Sequence, residues 1–343
     1  MIERSNYLLI LRNWFGKKVF TTTVVAVVLF LLLIAGSRPV LSQCLEVYGM
    51  RSGLPGLNVQ AIAFDAQGNA WAGTENGLAE YQGKKGWVAH KDSLLRNNQI
   101  FSLAIDNMGQ KWIGTEKTGL LMYDGRQWTK YDKDNSPIPD NTVYRVVIDS
   151  RGTKWVGTYK GLAEFDGKNW TIYLKDTTIT AIFIDRSDNM WIGTYREGLR
   201  RLAKGARTSE PQSSKLKGEN IWAVAAAGNT GFTWAGSSSP GDLSNFDGVN
   251  WTNVPAYSAT LASFTTGLDN VTSIAVDTFG NLWVGTYGRG LVEYDGSNWW
   301  TYTRDTPIIR LPNNTIQTIA VDKDGNKWVG THGGVVFIPK CMK

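Results

Sequence analysis

Short apolar runs, each closed by an Asp and a glycine-containing turn, recur along the chain. The first is Ala61-Ile-Ala-Phe64, followed by Asp65 and Gly68, then by a stretch around Trp71 that ends in Gly73-Thr74. The full phrase reads apolar run, Asp, a Gly-Asn type turn, Trp-x-Gly-Thr, Gly-Leu, Tyr-Asp-Gly and Trp-x-x-Tyr. Its anchors are Trp71, Trp112, Trp155, Trp191, Trp234, Trp283 and Trp328, spaced by 41, 43, 36, 43, 49 and 45 residues. Runs this short between turn residues predict strands. Seven copies of about 43 residues match the period of four-stranded propeller blades, not that of helical solenoids. The predicted fold is all-β, a seven-bladed β-propeller of four-stranded antiparallel blades.

Each phrase divides into strands a to d. Strand a ends at an Asp six residues before the Trp in six copies, at Asp65, Asp106, Asp149, Asp185, Asp277 and Asp322. With Gly68, Gly109, Gly152, Gly280 and Gly325, these aspartates predict tight a–b turns in which the carboxylate bonds to backbone amides and Gly takes a positive φ. Strand b carries the Trp and ends in Gly-Thr, and strand c runs from Gly-Leu to an aromatic residue. The Asp-Gly pairs at Asp124, Asp166, Asp247 and Asp295 predict type I′ c–d hairpins. Strand d holds Trp128 and Tyr131, Trp170 and Tyr173, or Trp299 and Tyr302.

The seventh phrase stops after strand c, at Val335-Val336-Phe337-Ile338. Leu45-Glu46-Val47-Tyr48 aligns with Trp299-Trp300-Thr301-Tyr302 and supplies the missing fourth strand. The N-terminal strand (45–48) is therefore expected to join the last blade and close the ring, which removes two exposed sheet edges. In that register Cys44 and Cys341, the two cysteines of the chain, face each other across the hairpin mouth. A Cys44–Cys341 disulfide is expected. It closes a loop of ~300 residues, worth on the order of 5 kcal/mol in a chain-entropy picture.

Residues 1–43 read as a targeting segment ahead of a propeller at 44–343. Arg4, Arg12, Lys17 and Lys18 precede an uncharged stretch from Val19 to Gly36, expected to be a hydrophobic helix. Its 18 residues are at the lower limit for spanning a bilayer, and the basic flank places the propeller outside the cytoplasm. A signal anchor and a cleaved signal peptide both fit, with Ala35, Gly36 and Ser42 as small residues near a cut. Leu41-Ser42-Gln43-Cys44 resembles a lipoprotein box except at Gln43. The expected location is the cell envelope, periplasmic or secreted, with membrane attachment if the segment is retained.

Charge removes one class of partner. The net +6 includes Arg4, Arg12, Lys17, Lys18 and Arg38 against Glu3, or +4, in residues 1–43, so the propeller carries only +2 with both signs interspersed. No basic run tracks phosphates, and nucleic acid is set aside. The chain has two histidines, His90 and His332, and no nucleophile–base or metal-ligand cluster at a useful spacing. Asp322-Lys-Asp324-Gly325-Asn326 lacks the following Glu of a calcium loop. Neither a metal nor another cofactor is expected.

Repeats of the form Asp-x-x-Gly-Asn-x-Trp-x-Gly-Thr-x-x-Gly-Leu-x-x-Tyr-Asp-Gly resemble the two-component regulator propeller family. The resemblance covers residues 45–338. It implies an extracytoplasmic sensor propeller of the kind associated with extracellular carbohydrates, working with a membrane signalling protein. Family members carry two propellers, an immunoglobulin-like module and kinase domains. One propeller's worth of repeats is present here, so kinase activity is not implied.

Repeat-forming Trp, Asp, Gly and Thr residues solve one packing problem seven times and read as scaffold. Each Trp buries about 200 Å², roughly 5 kcal/mol gross. Function is expected where the loops stop repeating, at the b–c loops after Gly-Thr. These offer Tyr159 and Lys160, Tyr195 and Arg196, Tyr287 and Arg289, and His332. The channel-proximal ends of strand a add Phe101, Tyr144, Arg145 and Trp222. Aromatic rings beside cations stack on a sugar and bond its hydroxyls or an acidic group. The expected ligand is an oligosaccharide or a peptide. The alternatives are an envelope scaffold with no small-molecule site, and a streptogramin-lyase-like enzyme using His332. The recurring Asn58, Asn98, Asn141, Asn220, Asn270 and Asn314 before strand a read as strand-start bonds. Blades four and five depart from the repeat, from Arg200-Arg201 through the polar Lys204–Glu219 stretch and at Gly228-Asn-Thr-Gly231.

Overall fold

A computed structural model of the chain describes residues 45–212, 216, 219–226, 232–238, 243–254, 270–306 and 309–340. They form seven four-stranded antiparallel sheets. The innermost strands a are Val59–Phe64, Ile100–Ile105, Val143–Ile148, Ile179–Ile184, Ile221–Ala226, Val271–Val276 and Ile316–Val321. Strand a of each blade pairs with the Trp-bearing strand b, then c, then d outward. In blade seven the outermost strand is Glu46–Tyr48, which pairs with Gly334–Ile338 in the register Glu46 to Phe337, Val47 to Val336 and Tyr48 to Val335. The ring is closed by the N-terminal strand. Tyr48 stacks on Trp328 at 6.2 Å and lies edge-on to Tyr81 and Trp87 of blade one. The expected Cys44–Cys341 bond and the apolar stretch 19–36 lie outside the described residues. Among the described residues no helix is long and apolar enough to cross a membrane.

One contact recurs at every blade junction. The glycine of Trp-x-Gly-Thr lies against the first residue of the next blade's strand a, or its near neighbours. A Cβ on Gly157 would meet Ile179 at 2.6 Å, on Gly236 Val271 at 2.3 Å, and on Gly285 Ile316 at 2.7 Å. At the seam, a Cβ on Gly330 would meet the Val59 carbonyl at 2.4 Å. Blade seven thus packs on blade one as the other blades pack on one another. The seven repeat tryptophans are 1–6% exposed, so they are core. Trp71, Trp112 and Trp283 are capped from the next blade by the ammonium groups of Lys111, Lys154 and Lys327, at 4.5, 4.7 and 5.0 Å.

The turn aspartates do what the sequence predicts and one thing more. Asp65 Oδ1 accepts from the amides of Gln67 and Asn69 at 3.0 and 2.9 Å, while Oδ2 accepts from the Trp71 indole at 3.2 Å. The indole bond recurs from Trp112, Trp155, Trp191, Trp283 and Trp328, at 3.0–3.3 Å. Burial pushes the Asp65 carboxyl up, but the Trp71 indole and the amides outweigh it and hold it below the usual carboxylate range. In blade four the turn position taken elsewhere by Gly is Asp188, at φ 58°.

One detail departs from expectation. The c–d hairpins are not type I′. Gly125, Gly167, Gly248 and Gly296 have φ near +100°, but the residues after them are not left-handed. The Asp occupies the first turn position and accepts two amides, as Asp124 does from Arg126 and Gln127. Gly therefore falls in the second position, where a type II′ turn needs the single positive φ. Blade four has the expected fourth strand despite its polar sequence, reduced to Glu210–Pro211.

Replacing Gly157 with Ala is expected to destabilise the propeller by about 1–3 kcal/mol through overpacking against Ile179. Thermal melting of Gly157→Ala, Ile179→Ala and the double variant measures this. The double variant should cost less than the sum of the singles, and strict additivity would contradict the contact.

Candidate ligand site at the channel mouth

In all seven blades the a–b pairing skips one residue. The second residue of each strand a is a β-bulge: Gln60, Phe101, Tyr144, Thr180, Trp222, Thr272 and Gln317. A bulge adds a residue to one strand and re-aims its side chain. Flanking positions repeat, with Val or Ile before and mostly small residues after, whereas the bulge residues do not. Five of them line a cavity of about 180 Å³ in the channel: Gln60, Phe101, Trp222, Thr272 and Gln317. Arg145 lines the same cavity from the next position of blade three. Thr180 instead turns aside to the Ile221 carbonyl of the next blade. Sequence reasoning found Phe101, Tyr144, Arg145 and Trp222 but missed Gln60 and Gln317, which occupy the same repeat position as Phe101 and Trp222.

A second ring surrounds the first at the same end. In six blades the Thr of Gly-Thr closes the b–c turn on a glycine carbonyl, as Thr158 does on Gly161 at 2.8 Å. The next residue is then tied by its backbone amide to the residue or two preceding strand a. Tyr159 bonds Thr142, Tyr195 bonds Thr178, Tyr287 bonds Asn270 and His332 bonds Thr315, at 3.0–3.2 Å. The backbone is thus fixed while the side chains vary. Tyr159, Tyr195 and Tyr287 are 51%, 39% and 58% exposed, which is unusual for large aromatics in a fold that buries its repeat tryptophans. The Asn before strand a is not confined to a strand-start bond: the side-chain oxygens of Asn98, Asn141, Asn220 and Asn314 accept from the amides of Lys117, Lys133, Arg196 and Arg304 in neighbouring loops.

The two rings meet. Tyr195 lies edge-on to Trp222 at 6.4 Å, and the Arg196 guanidinium sits over the Tyr195 ring at 4.9 Å. Phe101 and Tyr144 lie 5.2 Å apart. Burial, followed by neighbouring Tyr159, Asp140 and Glu116, raises the Tyr144 phenol. His332 contacts the Tyr287 ring edge-on at 5.9 Å and its Nε2 is within hydrogen-bond distance of the Gln317 amide. Lys160 stands exposed on its loop, and Arg289 belongs to the exposed blade-six loop, where its amide bonds Thr286.

A second cavity, about 210 Å³, lies at blades three and four beside Trp155 and Tyr173. Its charges largely satisfy one another, with Arg151 on Asp149 and Lys204 on Asp188, both at 2.8 Å. Among the described residues no group of three or more acidic, His or Cys side chains is arranged to hold a metal ion.

Comparison with known proteins places this geometry in context. The two-component regulator propeller profile matches residues 53–76, 173–196, 267–288 and 310–333, each taking in a strand a and the strand b that follows it. No curated protein matches the chain. The extracellular domain of BT3049 from B. thetaiotaomicron, assigned as a hybrid two-component system, is similar, with a TM-score of 0.72 and 22% identity over 86% of this chain and 41% of that one. The extracellular domain of BT4673 from the same organism, assigned as a one-component system, gives 0.69 and 22% over 87% and 40%. Virginiamycin B lyase from Staphylococcus aureus gives 0.66 and 12% over 85% and 97%. At these identities the likeness is one of fold. The chain spans about two fifths of the length of the two sensor domains.

Burial lowers the His332 imidazole, and Glu75 partly offsets this. The folded protein therefore takes up the His332 proton at lower pH than the unfolded chain, whose reference value is 6.5. Stability that is intact above about pH 6.5 should fall as pH drops through that value toward the folded one. Melting between about pH 7.5 and 5.5 should show a shallower decline for His332→Asn than for wild type. Equal slopes would contradict the assignment.

Proposed function

We propose that this chain, a seven-bladed propeller built of two-component regulator propeller repeats, is an extracytoplasmic sensory module that binds its ligand at the strand-a mouth of the channel. One observation carries the reading. Two concentric rings of non-repeating side chains, at the bulge and after Gly-Thr, sit on a backbone that repeats seven times. Scaffold positions converge on one residue type because they meet one packing demand. The bulge ring holds Gln, Phe, Tyr, Thr, Trp, Thr and Gln, and the ring after Gly-Thr exposes three tyrosines. Aromatic faces with amides and a guanidinium between them suit a polyhydroxylated ring such as a sugar. The basic-then-apolar segment 1–43 supports export, and the likeness to extracellular sensor domains supports the same compartment and a separate membrane signalling partner.

Thermal-shift and calorimetric screening of oligosaccharides and peptides tests this. A saturable ligand is expected, and Trp222→Ala should weaken it about tenfold, about 1.4 kcal/mol, with melting of the unliganded protein little changed. If no small ligand binds while a protein partner is captured independently of Trp222, the propeller is an interaction scaffold instead.

A further inference from the structure

Arg145 differs from every other residue at its position. The third residue of strand a is Ala61, Ser102, Ala181, Ala223, Ser273 and Thr318 in the other blades. Packing at this position is met by a small side chain six times, so blade three does not need a guanidinium there. Arg145 nevertheless lines the channel cavity. Its Nη1 donates to the Tyr144 carbonyl at 2.9 Å, and it makes no ion pair among the described residues. No acidic side chain lines the cavity. Lys154, the other enclosed cation of the same blade, is by contrast paired with Asp106 at 3.4 Å and seated on Trp112.

Arg145 is half-buried in the channel, and desolvation draws its pKa down from 12.5 to about 10. It remains charged at neutral pH. An enclosed cation without a counter-charge is costly, and the cost falls when an anion enters. Gln60 and Trp222 also line the cavity. At about 180 Å³ the space is smaller than the roughly 300–1,000 Å³ of a drug-sized site, so it admits one ring-sized unit of a larger ligand.

We propose that the channel receives the carboxylate of an acidic sugar, a uronate unit of an oligosaccharide. Its carboxylate binds the Arg145 guanidinium. A face of the ring lies against Trp222, and the rest of the ligand extends over the rim tyrosines. This rests on the channel mouth being the ligand site. A peptide carboxylate would satisfy Arg145 alone. The ring-sized space and the Trp222 side chain on its wall favour the sugar.

The test compares galacturonate and glucuronate with galactose and glucose, at matched ionic strength, by thermal shift and calorimetry on the full chain. Wild type, Arg145→Lys and Arg145→Ser are compared; Ser already occupies this position in blades two and six. Wild type should bind the uronates at least tenfold more tightly than the neutral sugars, with an affinity that falls as salt rises. Arg145→Ser should lose that preference, and its unliganded melting temperature should equal or exceed that of wild type because an unpaired charge is gone. Arg145→Lys should keep part of the preference. Uronates binding no better than neutral sugars, or a preference that survives Arg145→Ser, overturns the inference. So does a response confined to peptide carboxylates. Neutral sugars that bind in a Trp222-dependent way would leave the channel mouth as the ligand site while refuting the uronate. No binding of any ligand would remove both.

Discussion

The propeller depends on the contact between the glycine of Trp-x-Gly-Thr and the first residue of the next blade's strand a. Each glycine leaves room for a β-branched Val or Ile, at close range from Gly73 with Ile100 round to Gly330 with Val59. Because the contact is cyclic, no blade has a free inner face, and the seventh must find the first. The N-terminal strand then completes the seventh blade from outside, so ring closure joins distant parts of the chain both by packing at the hub and by pairing at the rim. The Asp–Trp pairs fix the opposite end of strands a and b. Together these constraints hold the strand-a mouth on a rigid frame and leave its side chains free to differ.

Much of this is legible in the sequence because repetition averages out local ambiguity. A single Ala-Ile-Ala-Phe run says little, but seven at one period specify blade number, strand order and the missing strand. Two features were not legible, for different reasons. The turn type was misread because Asp-Gly is compatible with two hairpin geometries, and the Asp side chain decides between them by capping two amides. The bulge was invisible because it adds a residue to the pairing without changing composition. That hides Gln60 and Gln317 in the sequence, although the second residues of the seven strands a stand out as the position that varies. The spacing of six between Asp and Trp is visible in the sequence, whereas the indole's bond to the carboxylate is not.

The channel mouth shows how a repeat protein separates scaffold from recognition. Residue types that recur are buried, hydrogen-bonded or turn-forming. Those that change lie at the bulge and just beyond the Thr that closes the b–c turn in six blades. Arg145 marks the boundary most sharply, because it departs from a small-residue position toward a charge that the described protein does not neutralise. The second cavity, at blades three and four, makes the contrast plain: it has more charges and slightly more space, but Arg151 and Lys204 are already paired.

The most direct measurement is crystallographic: diffraction from the protein crystallised with a uronate oligosaccharide. The account predicts carboxylate density within hydrogen-bond distance of the Arg145 guanidinium and a sugar ring against Trp222. Ligand seated instead between blades three and four, against Arg151 and Lys204, or on the outer strands with only water in the channel, would contradict it.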